Sequence, residues 1–324
     1  MPQRTYLEAI SEALREEMRR DPTVLLLGED IGVYGGAFKV TKGFLEEFGV
    51  ERVVDTPISE AAIIGAAIGA ALNGLRPVAE MQYIDFVTNG FNQLVNVAAT
   101  IAYRWGIPVP LVVRGPAGGG VGSGPFHSRN PEAWFAHTPG LKVVYPAFPA
   151  DAKGLLIAAI RDPNPVVFLE HKGLYRKVRQ EVPSGAYALS LGKAAIVRSG
   201  RDVSVVAYGS AVHLALEVAQ TLSAEGIEVE VVDLRTLVPL DEGTILESVR
   251  RTNRVVVVHE APLTAGFGAE IVARITEKAF TALDAPVLRV AAADTPTPFA
   301  PPLEHAVLPS ASQVEATIRE VLRF

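Results

Sequence analysis

The sequence predicts an α/β protein made of two doubly wound, three-layer domains, each a mainly parallel sheet between helices. Short runs rich in Val, Leu and Ile alternate along the chain with segments of helical periodicity. This alternation is typical of parallel sheets that are buried on both faces. It is interrupted once, by a stretch richer in charge, Pro and Gly, and then begins again, which indicates a second domain.

The interruption divides the chain into two domains and a linker. Residues 1–175 are expected to form the first domain, with strands in the runs TVLLLG, RVVD, RPVAEM, PLVVRG, LKVVYP and PVVFLE. Residues 176–200 have the loop-like composition and are predicted to be the linker. Residues 201–324 are expected to form a smaller domain, with strands in VSVVAYGS, IEVEVVDL, RVVVVHE and APVLRVAA.

Composition excludes several classes of protein. The 324 residues carry a net charge of −6 without a block of Lys and Arg, so neither nucleic acid nor a membrane is an expected partner. No run of about 18 apolar residues occurs, and the charged N-terminus lacks a signal-peptide core, so we expect a cytoplasmic protein. The absence of cysteine excludes thiol chemistry, which leaves carboxylates, histidines or a bound cofactor.

Common nucleotide-binding and hydrolase motifs are missing. The sequence has no G-x-x-x-x-G-K-[ST], no G-x-G-x-x-G after a strand, no H-E-x-x-H and no G-x-S-x-G. A P-loop enzyme or a standard dinucleotide dehydrogenase is therefore not expected. The remaining candidates lie in loops at the C-terminal ends of strands, where open α/β sheets bind ligands.

Glu60 lies between a predicted strand and a predicted helix, in the sequence DTPISEAAI. Pro57 closes the strand, and Ser59 is expected to cap the helix with its hydroxyl. The helix AAIIGAAIGAALNG has no polar face before Asn73, so we expect protein to cover it on all sides. Glu60 either complements the helix dipole or is a buried carboxylate of a functional site, and this stretch alone does not separate the two.

Polar and aromatic residues also follow two other strands of the predicted sheet. Glu29 and Asp30 follow the first strand, and Gln82, Asp85 and Phe86 follow the third. Each residue taken singly is compatible with a turn or a core position. Jointly, the carboxylates, the amide and the aromatic ring predict a pocket for a flat heterocycle.

A Gly-rich segment precedes His127. Six glycines lie between Gly115 and Gly124, and glycine lets a backbone move or approach a ligand closely. An imidazole at the end of such a segment suits proton transfer, whereas the alternative is a disordered surface loop with a solvated histidine. Pro131 and the run EAWF re-anchor the chain at once and favour the functional interpretation.

Motifs along nearly the whole chain resemble one protein family. The runs GED, DTPISE, EMQYIDF, HSRNPEAWFAHTPGLKVVYP, IRDPNPVVFLEHKGLYR and VVDLRTLVPLD are similar in order to the beta subunit of the two-chain 2-oxo acid dehydrogenase decarboxylating component. That family depends on thiamine diphosphate and is related to transketolase. The resemblance implies a pyrimidine-binding transketolase-like domain, followed by a transketolase C-terminal-like domain for dimerisation and complex assembly.

The resemblance assigns roles to the candidate residues. Glu60 matches the glutamate that hydrogen-bonds the aminopyrimidine ring of the cofactor, and His127 matches the histidine that assists acyl transfer to the lipoyl arm. Phe86 matches the residue packed on the pyrimidine. The other residues implied to line that pocket are Glu29, Ile58, Ser59 and Gln82. A potassium site of the family points to Leu111, Val112, Asp162 and Asn164, although RDPNP is equally a helix stop with turn residues.

One motif of related single-chain enzymes is missing. These enzymes carry Gly-Asp-Gly and a downstream Asn that hold magnesium and the diphosphate, and this sequence has no Gly-Asp-Gly. In the resembled family an alpha subunit holds that half of the cofactor. The resemblance therefore implies an alpha2beta2 heterotetramer with a shared active site, and the lipoyl acyltransferase component of a multienzyme complex as a further partner.

The implied reaction is oxidative decarboxylation of a 2-oxo acid with reductive acylation of a lipoyl domain. Pyruvate and branched-chain 2-oxo acids are the leading substrates, and an acetoin dehydrogenase beta subunit would keep the same cofactor half-site. A hypothesis of another class is a non-catalytic assembly subunit. The sequence does not distinguish the acyl side chain, because the absent chain forms part of the substrate pocket.

Overall fold

The computed structural model describes residues 1–324 and divides them into two compact units. The first unit comprises Met1–Ala117 and Trp134–Leu191, and the second comprises Gly118–Ala133 and Gly192–Phe324. His127 and most of the Gly-rich segment therefore belong to the second unit, although they lie between strands of the first unit along the chain.

The first unit is built on a sheet whose strands match the predicted apolar runs. The strands of this unit are β1 (Gln3–Thr5), β2 (Val24–Gly28), β3 (Val53–Asp55), β4 (Arg76–Glu80), β5 (Val112–Ala117), β6 (Lys142–Val144), β7 (Val166–His171) and β8 (Arg179–Glu181). Strands β1 and β8 form a separate antiparallel pair. The helices in this part of the chain are α1 (Tyr6–Arg20), α2 (Phe44–Phe48), α3 (Glu60–Leu72), α4 (Ala99–Trp105), α5 (Glu132–Ala136) and α6 (Pro149–Arg161). A 3-10 helix (Ile84–Gly90) and a π-helix (Gln93–Ala98) precede α4.

Parallel pairing brings the carboxyl ends of neighbouring strands to one edge of the sheet. The strand order is β6-β7-β5-β4-β2-β3, and all of these neighbours are parallel. Gly28 at the end of β2 lies in register with Asp55 of β3 and with Glu80 of β4. The residues that follow these three positions are therefore held at the same edge.

The core of the first unit lies between helices and sheet. Helix α1 packs against α6, and buried residues such as Leu14 and Leu155 form one hydrophobic cluster with the strands. In β2, Val24 and Leu26 belong to this cluster, as the alternation of side chains along a strand requires. The thirteen-residue helix α3 buries Ile63, Ile64 and Ile68, among others.

The second unit repeats the architecture with a five-stranded sheet and has one further short strand, β12 (Thr236–Val238), outside that sheet. Its strands are β9 (Ala195–Arg198), β10 (Val203–Ala207), β11 (Val229–Asp233), β12 (Thr236–Val238), β13 (Val255–Pro262) and β14 (Leu288–Ala292). Its helices are α7 (Ser210–Ser223), α8 (Glu242–Thr252), α9 (Phe267–Ala279), α10 (Pro301–Val307) and α11 (Ala311–Val321). The sheet order is β14-β13-β10-β11-β9, in which only β9 is antiparallel to its neighbour. None of the helices in the chain is long and apolar enough to cross a bilayer.

The predicted fold class of two doubly wound α/β domains is confirmed. The ten strands expected from the apolar runs are all present, within a few residues of the predicted bounds. The short strands β1, β8, β9 and β12 were not predicted; β1 and β8 contain no apolar residue, and β9 lies in the stretch expected to be a linker. Strands β8 and β9 lie within residues 176–200, the stretch that was expected to be a linker. The bounds of the two domains and of the linker stay a prediction.

Candidate functional site

Glu60 is the first residue of α3, at the carboxyl edge of the first sheet. Its side chain is buried, with 6% of the residue exposed. The Asn89 amide nitrogen donates to Glu60 Oε2 at 3.2 Å. The helix begins where the sequence predicted. Its first residue places the Glu60 carboxylate in a buried position, within hydrogen-bonding distance of the Asn89 amide.

Ser59 occupies the predicted N-cap position, but its hydroxyl makes no capping hydrogen bond. The prediction of a hydroxyl cap is therefore wrong. The backbone of Ser59 has φ −165° and ψ 72°, outside the extended torsions that aim a capping side chain at the first turn. Its peptide N–H donates to the carboxylate of Glu29 instead.

Glu29 follows β2 and adds a second buried carboxyl group to this edge. Burial raises the pKa of Glu29, and the negative charges of Glu60 and Asp30 raise it further. Glu29 Oε1 is buried and has no hydrogen-bond partner. The carboxyl group therefore holds its proton to a higher pH than an ordinary glutamate and keeps one oxygen available to a polar ligand.

Gln82 and Phe86 border the same edge. The Gln82 amide donates to Asp30 Oδ2 at 3.1 Å, and a cavity of about 420 Å³ is lined by Asp30, Tyr34, Ala37, Gln82 and Tyr83. The ring of Phe86 is half-buried and meets Tyr83 edge-on, with 6.1 Å between centroids. Ile58 is 83% exposed.

One face of α3 is uncovered in this chain. Ala62 and Ala66 are exposed, and Leu72 is 43% exposed. The expectation that protein covers this helix on all sides is therefore wrong for the chain alone. Alanine makes this possible because its side chain adds little apolar area to the surface.

A buried ion-pair network lies at the carboxyl ends of the central strands. The Arg114 guanidinium donates to both oxygens of Glu170, at 2.6 and 2.7 Å, and to Glu80. The Tyr175 hydroxyl donates to Glu170 at 2.6 Å. Burial opposes the charge of Arg114, but Glu170 and Glu80 raise its pKa well above the ordinary value, so the cation persists. Sequence reasoning missed this network, because its members lie on strands far apart in the chain.

The residues of the predicted potassium site show no cluster of metal-ligating side chains. Leu111 and Val112 are buried, and Asp162 pairs with Lys142 while accepting the Asn164 N–H at 2.9 Å. The chain contains no group of three or more His, Cys, Asp or Glu side chains placed to hold a metal. The potassium site at Leu111, Val112, Asp162 and Asn164 stays a prediction.

His127 lies in the second unit, after the Gly-rich segment. The residue is half-buried, and its backbone N–H donates to the Gly124 carbonyl at 3.3 Å. Glu132, five residues later, is buried and accepts the Tyr208 hydroxyl at 2.8 Å. Burial raises the pKa of Glu132 to about 8, although this hydrogen bond opposes the shift.

Comparison with protein families matches both domains. Residues 3–178 match the pyrimidine binding domain of transketolase, and residues 192–314 match the transketolase C-terminal domain. A solved structure described as "Split gene transketolase, inactive beta4 tetramer" superposes with a TM-score of 0.81 at 25% identity, covering 98% of each chain. The transketolase-like fold is therefore shown over nearly the whole length.

Three curated relatives align over almost their full lengths. The chain is 47% identical to 2-oxoisovalerate dehydrogenase subunit beta of Bacillus subtilis (strain 168), covering 99% of both chains. It is 49% identical to the pyruvate dehydrogenase E1 component subunit beta of the same strain, covering 100% of both. It is also 49% identical to acetoin:2,6-dichlorophenolindophenol oxidoreductase subunit beta of Cupriavidus necator (strain H16), covering 97% of this chain and 96% of the relative.

Proposed function

The chain belongs to the beta subunits of the thiamine diphosphate-dependent 2-oxo acid dehydrogenases, and we propose that it supplies the pyrimidine half of a cofactor site shared with an alpha subunit. The observation that carries the proposal is Glu60, buried at the start of α3 with Asn89 as its donor. A carboxyl group in that setting can share a proton with a ring nitrogen instead of losing it to water.

The residues around Glu60 fit an aminopyrimidine ring. Glu29 offers a buried carboxyl oxygen without a partner, and Gln82 offers an amide. Phe86 offers a half-buried aromatic ring on which a flat heterocycle can pack, while Ile58 and Ser59 complete the lining. Thiamine diphosphate, when bound, would supply a nucleophilic thiazolium carbon and a cationic ring that can accept the electron pair released by decarboxylation.

In this proposal Glu60 holds and returns a proton at the pyrimidine nitrogen, while Phe86 keeps the ring plane in place. Glu29 stays protonated over a wider pH range because of its raised pKa, which limits repulsion between the two carboxyl groups. His127 assists transfer of the acyl group to the lipoyl arm of an acyltransferase component. Potassium, if it binds, would be held near Leu111, Val112, Asp162 and Asn164.

The diphosphate and magnesium belong to the alpha subunit in this proposal, within an alpha2beta2 heterotetramer. Residues 1–175 form the pyrimidine-binding domain, 176–200 the linker, and 201–324 the domain of beta–beta contacts and complex assembly. The absence of Gly-Asp-Gly from the sequence supports this division, since the most highly charged part of the cofactor needs a metal or comparable donors.

Calorimetric titration tests where the diphosphate is held. The isolated chain should bind thiamine diphosphate weakly with or without magnesium, and addition of an alpha subunit should produce tight, magnesium-dependent binding and decarboxylation. Tight magnesium-dependent binding by this chain alone would contradict the proposed division of the site.

The substrate is proposed to be pyruvate or a branched-chain 2-oxo acid, with acetoin as the second candidate. Relatives of all three kinds are 47 to 49% identical to the chain, so overall identity does not separate them. Initial rates of the reconstituted alpha–beta complex with pyruvate, 2-oxoisovalerate and acetoin will show which of the three is the substrate. A complex that assembles and turns over none of them would favour a non-catalytic assembly subunit.

A further inference from the structure

Two carboxylates hold the backbone of the Gly-rich segment, and neither was suggested by the sequence. Glu304 Oε1 accepts the N–H of Gly120 at 2.8 Å, and Glu304 Oε2 accepts the N–H of Gly122 at 2.9 Å. Glu260 Oε1 accepts the N–H of Gly119 at 2.6 Å. The two acceptors lie 141 and 184 residues further along the chain from the glycines they bind.

The backbone of the segment is shaped to surround an anion. Gly118, Gly120, Gly122 and Gly124 all have φ between +69° and +85°, so left-handed residues alternate along it. Alternation of this kind turns successive N–H groups toward one side and forms an anion-binding concavity. The carboxylate of Glu304, which is 1% exposed, occupies the acceptor position.

Close packing disfavours larger side chains at two positions of the segment. A Cβ atom on Gly124 would lie 2.3 Å from the Phe299 ring, and one on Gly119 would lie 3.1 Å from Leu308 Cδ1. The glycines therefore allow close approach to the region around α10, besides giving conformational freedom. Residues 118–124 therefore pack against other residues of the second unit just before His127.

We propose that Glu304 and Glu260 are positioning residues that hold residues 118–124 in one conformation and thereby set the pose of His127. The inference rests on the role proposed for His127 in acyl transfer. The backbone N–H of His127 donates to the carbonyl of Gly124, three residues earlier, so the conformation of the segment fixes the backbone from which the imidazole projects. Acyl transfer then depends on these two glutamates more strongly than decarboxylation does.

The two glutamates differ in how well glutamine can replace them. Both oxygens of Glu304 accept peptide N–H groups, so in Glu304→Gln the amide NH₂ faces one of these donors and loses that bond. Glu260 Oε1 accepts Gly119 N–H and the Asn130 amide, while Oε2 accepts the Ser210 hydroxyl at 2.6 Å. A glutamine there can keep its oxygen toward Gly119 and donate to Ser210, since a hydroxyl also accepts.

The test uses the reconstituted alpha–beta complex and two readouts. Hydrogen exchange of residues 118–127 should accelerate at least 10-fold in Glu304→Gln and little in Glu260→Gln. The ratio of lipoyl-domain acylation to reduction of an artificial electron acceptor should fall at least 10-fold in Glu304→Gln. Glu277→Gln, on an exposed part of α9, is the matched control and should change neither.

Each outcome decides the proposal. Unchanged exchange in Glu304→Gln would overturn it, and so would faster exchange with an unchanged ratio of the two activities. If Glu304→Gln fails to fold, Glu260→Ala replaces it, because that half-buried residue loses its bond to Gly119 and should show the same two effects. A wild-type complex without decarboxylation would refute the proposed function, while the exchange measurement would still report whether the glutamates hold the segment.

Discussion

The Asn89 amide donates a hydrogen bond to the Glu60 carboxylate at 3.2 Å, from the 3-10 helix that follows β4 to the first turn of α3. A donor in this position orients the carboxylate without neutralising it. The orientation of Glu60 therefore depends on Asn89, a residue that no sequence motif singled out.

Replacement of Asn89 by alanine should reduce turnover of the reconstituted complex about 10-fold or more, because a hydrogen bond to a charged group contributes ~1.5–3 kcal/mol. Initial rates at saturating substrate and cofactor measure the effect. Asn96→Ala is the control, since it removes an exposed bond to Asn92 and should leave the rate unchanged. Equal rates for the two variants would mean that Asn89 does not orient Glu60.

Loss of the buried cation in the first sheet should destabilise the fold. Arg114→Met leaves Glu80 and Glu170 buried without their partner, which should lower the free energy of unfolding by about 3–5 kcal/mol. Arg201→Met removes an exposed pair of 3.9 Å and should cost less than ~1 kcal/mol. Chemical denaturation followed by circular dichroism compares them, and similar midpoints would show that the network contributes no more than a surface pair.

The stability of the second unit should depend on pH through Glu132. Its pKa is raised from 4.5 to about 8 in the folded chain, so the folded state binds more protons than the unfolded state between these values. The contribution of Glu132 to stability should therefore be fully present below pH 4.5 and be lost as pH rises from 4.5 toward 8. His259, whose pKa burial lowers from 6.5 to about 4, has the opposite effect, but only below pH 6.5.

Denaturation midpoints of the wild type and Glu132→Gln between pH 6.5 and 8.5 isolate the contribution of Glu132. The wild type should lose stability over this interval relative to the variant, because glutamine does not ionise. Parallel profiles for the two proteins would mean that Glu132 is already ionised at neutral pH.

His127→Ala should impair acylation of the lipoyl domain more than decarboxylation, since the imidazole is proposed to act in the second half-reaction. Activity with a lipoyl domain and with an artificial electron acceptor separates the two steps. His137→Ala, at an exposed position outside the segment, is the control and should affect neither. Equal losses of both activities in His127→Ala would argue against the proposed division of labour.

Local patterns in the sequence predicted much of the first sheet and the entry into α3. Ser59 was correctly placed before the helix, because Pro57 and the apolar run after Glu60 are local signals. The sequence could not show that the Ser59 hydroxyl makes no capping bond. That outcome depends on the backbone torsions of Ser59 and on the contact of its peptide N–H with the distant Glu29. Asn89 lies in an irregular 3-10 segment without periodicity, so nothing local indicated its contact with Glu60.

Long-range partners were beyond sequence reasoning. Arg114 appeared as one charged residue in an apolar run, and its partner Glu170 lies 56 residues away on a neighbouring strand. Glu304 was not singled out in the sequence, although it accepts the N–H groups of Gly120 and Gly122, which lie 184 and 182 residues earlier. The glycines themselves were noticed, as a sign of a backbone that moves or approaches a ligand closely, but the sequence does not show which side chains hold that backbone.

The most direct test of the central claim is the activity of Glu60→Gln in the reconstituted alpha–beta complex, with assembly checked by size-exclusion chromatography. Glutamine keeps the shape of the side chain and removes the titratable proton, so turnover should fall by roughly 100-fold or more while the complex still assembles. Glu51→Gln, at an exposed position of the same unit, should retain full activity. An assembled Glu60→Gln complex with wild-type turnover would contradict the assignment of Glu60 to the pyrimidine of thiamine diphosphate.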